Sequence, residues 1–289
     1  MIQNNLNNVI KITTYNVENL FDRIDDPNKD DGPPKPDNEL KALANVIKSL
    51  DSDILVLQEV ENKEIVKEML SMAGLKDRYN IIVGKSDGRG IAVALLIDKK
   101  FPIKKYSINE EENIFYRPPV EAIIELTPGF EVKIVGVHFK AKMDPASAQQ
   151  RLKEAQRTIE LAKKDSLPTI IAGDFNDLPP SKTLNLIQNN GFTDVRKIDL
   201  LSKDTNTPTH YTVYHLPEKD NKEFKIPNDY KEIKGKPSII DYITVTDNLK
   251  KYVIQGSFDV LEKQELFDTA IASDHRPVSI EFQLDNKNN

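Results

Sequence analysis

The sequence predicts an α+β fold in which strands and helices are mixed along the whole chain. Two observations carry this reading. Short apolar runs rich in β-branched residues alternate with amphipathic helical stretches. Strand-like segments also follow one another without an intervening helix, which predicts antiparallel neighbours. No internal repeat or low-complexity linker divides the 289 residues, so a single domain spanning 1–289 is expected.

In chain order, Val9 to Val17 reads as a strand. Asp37, following Pro36, is the expected N-cap of a helix with Leu40, Leu43, Ile47 and Leu50 at helical spacing. Ile54 to Val60 is nearly continuous in apolar residues, as a buried strand would be. Asn62 to Ala73 reads as a helix, and Tyr79–Gly84, Ile91–Asp98, Val120–Leu126 and Glu131–Lys140 read as strands. Asp144-Pro145 opens the clearest helix, with an apolar stripe of Ala148, Leu152, Ala155, Ile159 and Ala162. Pro168 to Phe175 is a strand, and Ser181 to Asn190 is a helix stopped by Gly191. Ser238–Thr246 and Pro277–Gln283 are the late strands. Residues 218–236, dense in charge and closing on Gly235-Lys236-Pro237, read as a surface insertion within the domain.

Apolar content of 38% suffices for a sizeable core. The net charge of −6 gives no general attraction to nucleic acid or anionic lipid, so a nucleic-acid substrate would need a local basic patch or a metal. The absence of cysteine excludes disulfides, thiolate metal sites and a cysteine nucleophile. No run is long enough to span a membrane, and the first residues lack a signal-peptide pattern. Those features fit the cytosol, or a secreted protein whose signal has been removed. A monomer is expected.

Chemistry enters where strands end. Thr14-Tyr15-Asn16-Val17, Leu57-Gln58-Glu59-Val60, Gly136-Val137-His138-Phe139, Ala172-Gly173-Asp174-Phe175-Asn176, Ile240-Asp241-Tyr242 and Ser273-Asp274-His275 each set polar groups among core-forming residues. Burial there is costly unless every such group finds a partner. Taken singly, each has a bland reading as turn former, helix cap or satisfied core histidine. That reading must be invoked independently six times, and must still yield hard-cation ligands and a His–carboxylate pair.

The stretches TYNVENLFD, QEVEN, GRGIAVALL, VHFKAK, AGDFNDLP, IDYI and SDHRP resemble, in order, the motifs of the endonuclease/exonuclease/phosphatase superfamily, covering nearly the whole chain. That superfamily includes pancreatic-type deoxyribonucleases, apurinic endonucleases, inositol polyphosphate phosphatases and neutral sphingomyelinases. The resemblance implies a four-layer α/β/β/α sandwich of two mixed, mostly antiparallel sheets, with the site at one end. It implies that Glu59 and Asn16, with Asp274, hold Mg2+, with Mn2+ as a substitute. It implies that Asp174 aligns or deprotonates the attacking water and that Asn176 positions it. His275 and Asp241 match the His–Asp pair, with His275 acting as base or electrostatic stabiliser. His138 matches a phosphate-oxygen contact or a proton donor to the leaving group.

Such a set is needed. Phosphate-ester hydrolysis demands more than ~15 kcal/mol of barrier lowering. One general acid or base supplies roughly 3–5 kcal/mol. Metal charge, aimed donors and in-line positioning must supply the rest.

Four basic residues are candidate phosphate grips: Arg89 between Gly88 and Gly90, Arg117 before Pro118-Pro119, Lys140 two residues after His138, and Arg151 one turn into the long helix. Each has solvated charge or a structural ion pair as its alternative. His210 and His215 are expected at the substrate edge or on the surface. The functional expectation is a Mg2+-dependent phosphodiester hydrolase, an endo- or exonuclease acting on DNA or RNA. The alternatives are a phosphomonoesterase or lipid phosphodiesterase, and a non-catalytic binding module on the same fold.

Overall fold

The computed structural model describes residues 9–111, 113–142, 144–213, 234–262 and 266–284. Two six-stranded sheets stack face to face. The first takes the order β13 (Asp259–Val260), β14 (Val278–Gln283), β1 (Val9–Leu20), β2 (Ile54–Val60), β4 (Ala92–Asp98), β3 (Tyr79–Val83). The second takes the order β5 (Ile103–Ile108), β6 (Val120–Thr127), β7 (Phe130–His138), β8 (Thr169–Asp174), β12 (Asp241–Thr246), β9 (Phe192–Asp194). A separate two-stranded ribbon joins β10 (His210–Val213) to β11 (Lys234–Ser238). Each large sheet is antiparallel except for its central pair: β1 runs parallel to β2, and β7 parallel to β8.

Side-chain alternation builds the layers. Ile12, Val56, Leu95 and Ile280 of the first sheet meet Ala122, Ile134, Ile170 and Ile243 of the second in the central core. The intervening Leu55, Leu57, Ala94 and Leu96 face outward, against α1 (Asp37–Leu50) and α2 (Lys63–Met72). Val135, Val137 and Ile171 turn to α3 (Pro145–Lys163) and α4 (Lys182–Asn189). A short helix, α5 (Leu266–Ala272), lies beside α1. Burying one such Leu or Ile contributes about 1.5–3 kcal/mol. The result is the expected α/β/β/α sandwich.

Two glycines permit close approach. A Cβ on Gly136 would lie 3.0 Å from side-chain carbons of Val56, Val93 and Leu95, so the sheets meet through a residue without a side chain. A Cβ on Gly173 would collide with the Val137 carbonyl.

Some local expectations are corrected. The four consecutive strand segments do pair antiparallel as β3–β4 and β6–β7, but the two pairs belong to opposite sheets. The edge strand β5 joins β6; its exposed Lys104, Lys105 and Tyr106 break the alternation that marks a strand. Pro36, not Asp37, occupies the cap position of α1, and the Asp37 carboxylate pairs with Arg23 at 2.5 Å. The buried face of α3 includes Arg151, Glu154 and Thr158, whereas Ala148 is exposed, because Arg151 and Glu154 find polar partners in the loop after β7. Ser238 to Thr246 is two strands, not one. Of the expected charged insertion, residues 218–233, like His215, lie outside the described residues, and 234–238 form β11.

Candidate active site

The C-terminal ends of the two parallel pairs come together. Asn16 lies opposite Gln58 at the end of the β1–β2 ladder. In the adjoining ladder Gln58 pairs with Val93 and Val60 with Ala92, so Glu59 is the extra residue of a β-bulge, with φ of 63°. His138 and Asp174 are register partners at the end of β7–β8, and Asp241, the first residue of β12, is paired with Asp174 on its other side. His275 lies just before β14. Left-handed backbone recurs here, at Glu18, Asn19, Glu59 and Asn176. Such conformations cost about 1–3 kcal/mol each and persist where surrounding contacts hold them.

Polar bonds cross from sheet to sheet. Asn16 Nδ2 donates to Asp174 Oδ2 at 3.1 Å and to Glu59 Oε1 at 3.3 Å. Glu59 Oε2 accepts from the Asn19 N–H at 3.1 Å. His138 Nε2 lies 3.5 Å from Asp174 Oδ2 and 3.9 Å from Glu59 Oε1. Asp174 Oδ1 accepts from the Asn176 N–H at 2.8 Å, and Asn176 Nδ2 donates to the Phe139 carbonyl at 3.1 Å. His275 Nδ1 donates to Asp241 Oδ2 at 2.9 Å, leaving Nε2 3.8 Å from both Asp174 Oδ2 and Asp274 Oδ1. A cleft of about 510 Å³ opens onto Glu18, Glu59, His138, Asp174, Asp274 and His275.

Burial and charge pull these groups apart in basicity. Burial, reinforced by the Asp241 charge, pushes the Asp174 carboxyl up to about 7. Burial and then the neighbouring Asp274 do the same for Glu18, also to about 7. Burial, with the Arg117 guanidinium, holds His138 well below the ordinary histidine value. Burial would also lower His275, but Asp241, Asp274 and Asp174 override it and raise it well above that value. Burial and Arg117 thus favour the neutral form of His138, while the three carboxylates favour the protonated form of His275.

The structure brings Glu59, His138, Asp174, Asn176, Asp274 and His275 around one cleft, with Asn16 buried behind Glu59 and Asp174 and Asp241 buried behind His275. Arg89 and Arg117 also line it. Arg89 is exposed and donates to Asn19 Oδ1 at 2.7 Å. Arg117 is buried and grips the carbonyls of His138 and Phe139 at 3.1 and 2.7 Å. Lys140 and Arg151 are not among the lining residues. The Lys140 ammonium sits 3.9 Å over the Tyr116 ring, and Arg151 donates to the carbonyls of Lys140 and Lys142 at 3.0 and 2.5 Å.

Sequence reasoning passed over Glu18, which accepts from the Asp274 N–H at 2.9 Å, and Ser273, whose hydroxyl donates to the Asn16 carbonyl at 2.7 Å. It also passed over Arg276, whose guanidinium donates to the Ser273 and His275 carbonyls at 3.0 and 2.9 Å. Glu18 is the one with a signal: a carboxylate two residues past Asn16 in the same motif.

A model of the Endonuclease/Exonuclease/phosphatase family matches residues 13–275. The chain belongs to this family. Solved structures agree in fold at low identity. The endonuclease/exonuclease/phosphatase from Bacteroides vulgatus superposes with a TM-score of 0.67 at 18% identity, covering 96% of this chain and 99% of that one. The family protein from Leptotrichia buccalis C-1013-b gives 0.63 at 18% identity, covering 95% and 100%. Truncated TDP2 from Caenorhabditis elegans gives 0.62 at 17% identity, covering 96% and 98%. No curated protein matches the sequence significantly.

Members of the Endonuclease/Exonuclease/phosphatase family are hydrolases of phosphoester bonds and typically need a divalent metal. The residues present suit a hard dication. Glu18, Glu59 and Asp274 bring carboxylates from three chain segments to one side of the cleft, beside the Asn16 amide. The burial and charge crowding that hold Glu18 near 7 are what a bound dication would relieve. Among the described residues, no helix is long and apolar enough to cross a membrane.

Proposed function

We propose that this chain is a Mg2+-dependent phosphodiester hydrolase acting on nucleic acid, with water as the nucleophile. One observation supports this above the others. Asn16 and Glu59, of the metal-ligand type, on the first sheet, and His138, Asp174 and Asp241, on the second, meet across the Asn16–Asp174 bond, with His275 joining them from just before β14. In this reading Glu59, with Asn16 and Asp274, holds the metal, Mn2+ serving as a substitute; the ion would neutralise charge on the phosphoryl oxygens.

Asp174 aligns the attacking water and takes its proton. The Asn176 N–H fixes Asp174 Oδ1, while Oδ2 accepts from Asn16 and lies 3.5 Å from His138 Nε2 and 3.8 Å from His275 Nε2. His275, oriented by Asp241, presents Nε2–H to the charge that develops on phosphorus-bound oxygen. His138, being neutral, suits a hydrogen bond to a phosphoryl oxygen better than proton delivery. Arg89 is exposed at the rim, where a backbone phosphate would pass. Arg117, Lys140 and Arg151 act by shaping the wall behind His138.

The test is a Mg2+ and Mn2+ activity panel with and without EDTA, run beside Asp174→Ala. It holds single- and double-stranded DNA, abasic DNA, RNA, a chromogenic phosphodiester, inositol phosphates and sphingomyelin. Metal-dependent cleavage of DNA or RNA by the wild type alone is the expected result. Cleavage confined to a monoester or a lipid would overturn the substrate class while keeping the chemistry.

A further inference from the structure

The oxygen-rich wall ends at Asp274, and there the donor chemistry changes. His210, from the β10–β11 ribbon, packs its ring against that of His275 with centroids 4.6 Å apart. An isolated antiparallel backbone bridge links the same two residues. His210 Nε2 lies 3.5 Å from Asp274 Oδ2, and His275 Nε2 lies 3.8 Å from Asp274 Oδ1. A ligand atom of each of the three residues lies within 4.8 Å of the other two. All three residues line the cleft.

The other ring nitrogens are already committed. His275 Nδ1 is held by Asp241 Oδ2 at 2.9 Å, and His210 Nδ1 by Ser238 Oγ at 2.9 Å. A histidine that ligates a metal through Nε2 almost always has its Nδ1–H held by a carboxylate, carbonyl or similar partner, which fixes tautomer and ring direction. Here Asp241 fixes the His275 ring in that way and the Ser238 hydroxyl fixes the direction of the His210 ring, with both Nε2 atoms facing one carboxylate. Ligands at about 2.0–2.1 Å from a tetrahedral Zn2+ lie roughly 3.4 Å from one another; here each imidazole Nε2 lies 3.5 or 3.8 Å from one or the other oxygen of Asp274, and all three residues offer ligand atoms within 4.8 Å. Two imidazoles and one carboxylate make a poor site for Mg2+, which takes oxygen, and a good one for a borderline first-row dication.

We infer that His210, Asp274 and His275 form a binding site for a Zn2+-class transition-metal ion, separate in chemistry from the oxygen-donor site at Glu59. The two share a boundary at Asp274. Three protein ligands leave a fourth position open toward the cleft. Occupancy would engage His275 Nε2 and so exclude the metal-free role given to it above. The site does not depend on the chain being a nuclease.

The experiment is a titration of the metal-free full chain with Co2+, followed by its visible absorption, and with Zn2+, followed by calorimetry. The wild type should bind one equivalent with a tetrahedral Co2+ spectrum. His210→Ala should weaken Zn2+ binding at least about 100-fold, since loss of even an outer partner of a ligand costs 10–100-fold. Ser238→Ala, which leaves all three ligands in place, should weaken it by about 10–100-fold. Glu59→Gln should leave it unchanged. Absence of saturable binding in the wild type would overturn the inference, as would Zn2+ binding by folded His210→Ala and Ser238→Ala at wild-type affinity. Loss on Glu59→Gln equal to that on His210→Ala would move the ion to the oxygen wall and would likewise overturn it. None of these readouts needs a substrate, so failure to find hydrolysis leaves the test intact.

Discussion

Asp241 Oδ2 accepts the His275 Nδ1–H at 2.9 Å, while the other oxygen of the same carboxylate is buried without a hydrogen-bond partner. A buried carboxylate with an orphaned oxygen is held at a cost in stability, and its return is the orientation and charge of one imidazole. The two residues should act as a unit. His275→Ala and Asp241→Ala should each lower kcat/KM by about 10²–10⁴-fold, and the double variant should lose little more. A double-mutant cycle on a chromogenic phosphodiester checks this, and additive losses would separate the pair.

Glu59 occupies the bulge of β2, so its carboxylate depends on backbone geometry that glutamine can also adopt. Glu59→Gln should retain the wild-type melting temperature within a few degrees. Its Mg2+-dependent turnover should fall about 10³-fold, the scale of several kcal/mol of lost charge stabilisation. Thermal melts beside a Mg2+ titration of rate would check both halves.

Gly173 pairs with Val137, one position before the register pair of His138 and Asp174. Its Cα faces the Val137 carbonyl too closely for any side chain. Gly173→Ala should therefore destabilise the fold by about 3 kcal/mol, the upper end for overpacking a core. Denaturant unfolding gives the number; a change below about 0.5 kcal/mol, the scale of an ordinary surface substitution, would mean that the strands part easily.

Arg117 grips two successive carbonyls behind His138 and faces Asp87 Oδ2 at 3.3 Å. Lysine keeps the charge but cannot reproduce the fork. Arg117→Lys should lower kcat more than it raises KM, because what is lost is the placement of His138. A KM-dominated change would instead assign Arg117 to direct substrate contact.

Outside the cleft lining, the Asp199 carboxylate accepts the N–H groups of Gly256 at 2.6 Å, Phe258 at 2.7 Å, and Leu201 and Ser202 at 3.1 Å. Burial alone would raise its pKa, but these donors overcome it and hold the carboxyl below its usual range. A depressed folded pKa contributes stability that is present above the unfolded value of about 3.9 and is lost as pH falls through the folded one. Asp199→Asn should therefore cost about 2 kcal/mol at neutral pH, and the gap from wild type should close only below about pH 4. Melts from pH 3 to 8 would show the convergence, and a gap that instead widened toward low pH would contradict the sign.

Much of this was legible in the sequence, and the reasons are local. β1, β2, β7 and β8 are buried on both faces, so their apolar runs announced them, and the polar residues that end those runs had to lie at the site. What stayed hidden were features fixed by distant partners. Arg151 and Glu154 sit on the inner face of α3 because loop carbonyls and amides meet them there, which periodicity alone would forbid. β5 and β13 are edge strands with weak patterns of their own. Whether Lys140 reached the cleft or a tyrosine ring depended on the turn after His138.

The absent side chain of Gly136 acts as a spacer of zero thickness. Of the proposed catalytic residues, Asn16 and Glu59 ride on the first sheet and His138, Asp174 and Asp241 on the second, and the gap between them is set by how closely those sheets stack around this residue. A single methyl group there would wedge them apart just behind His138 and stretch the Asn16–Asp174 bond at the mouth. Activity in this protein is thereby a gauge of interior thickness, and core substitutions that touch no substrate should register in turnover before they register in melting.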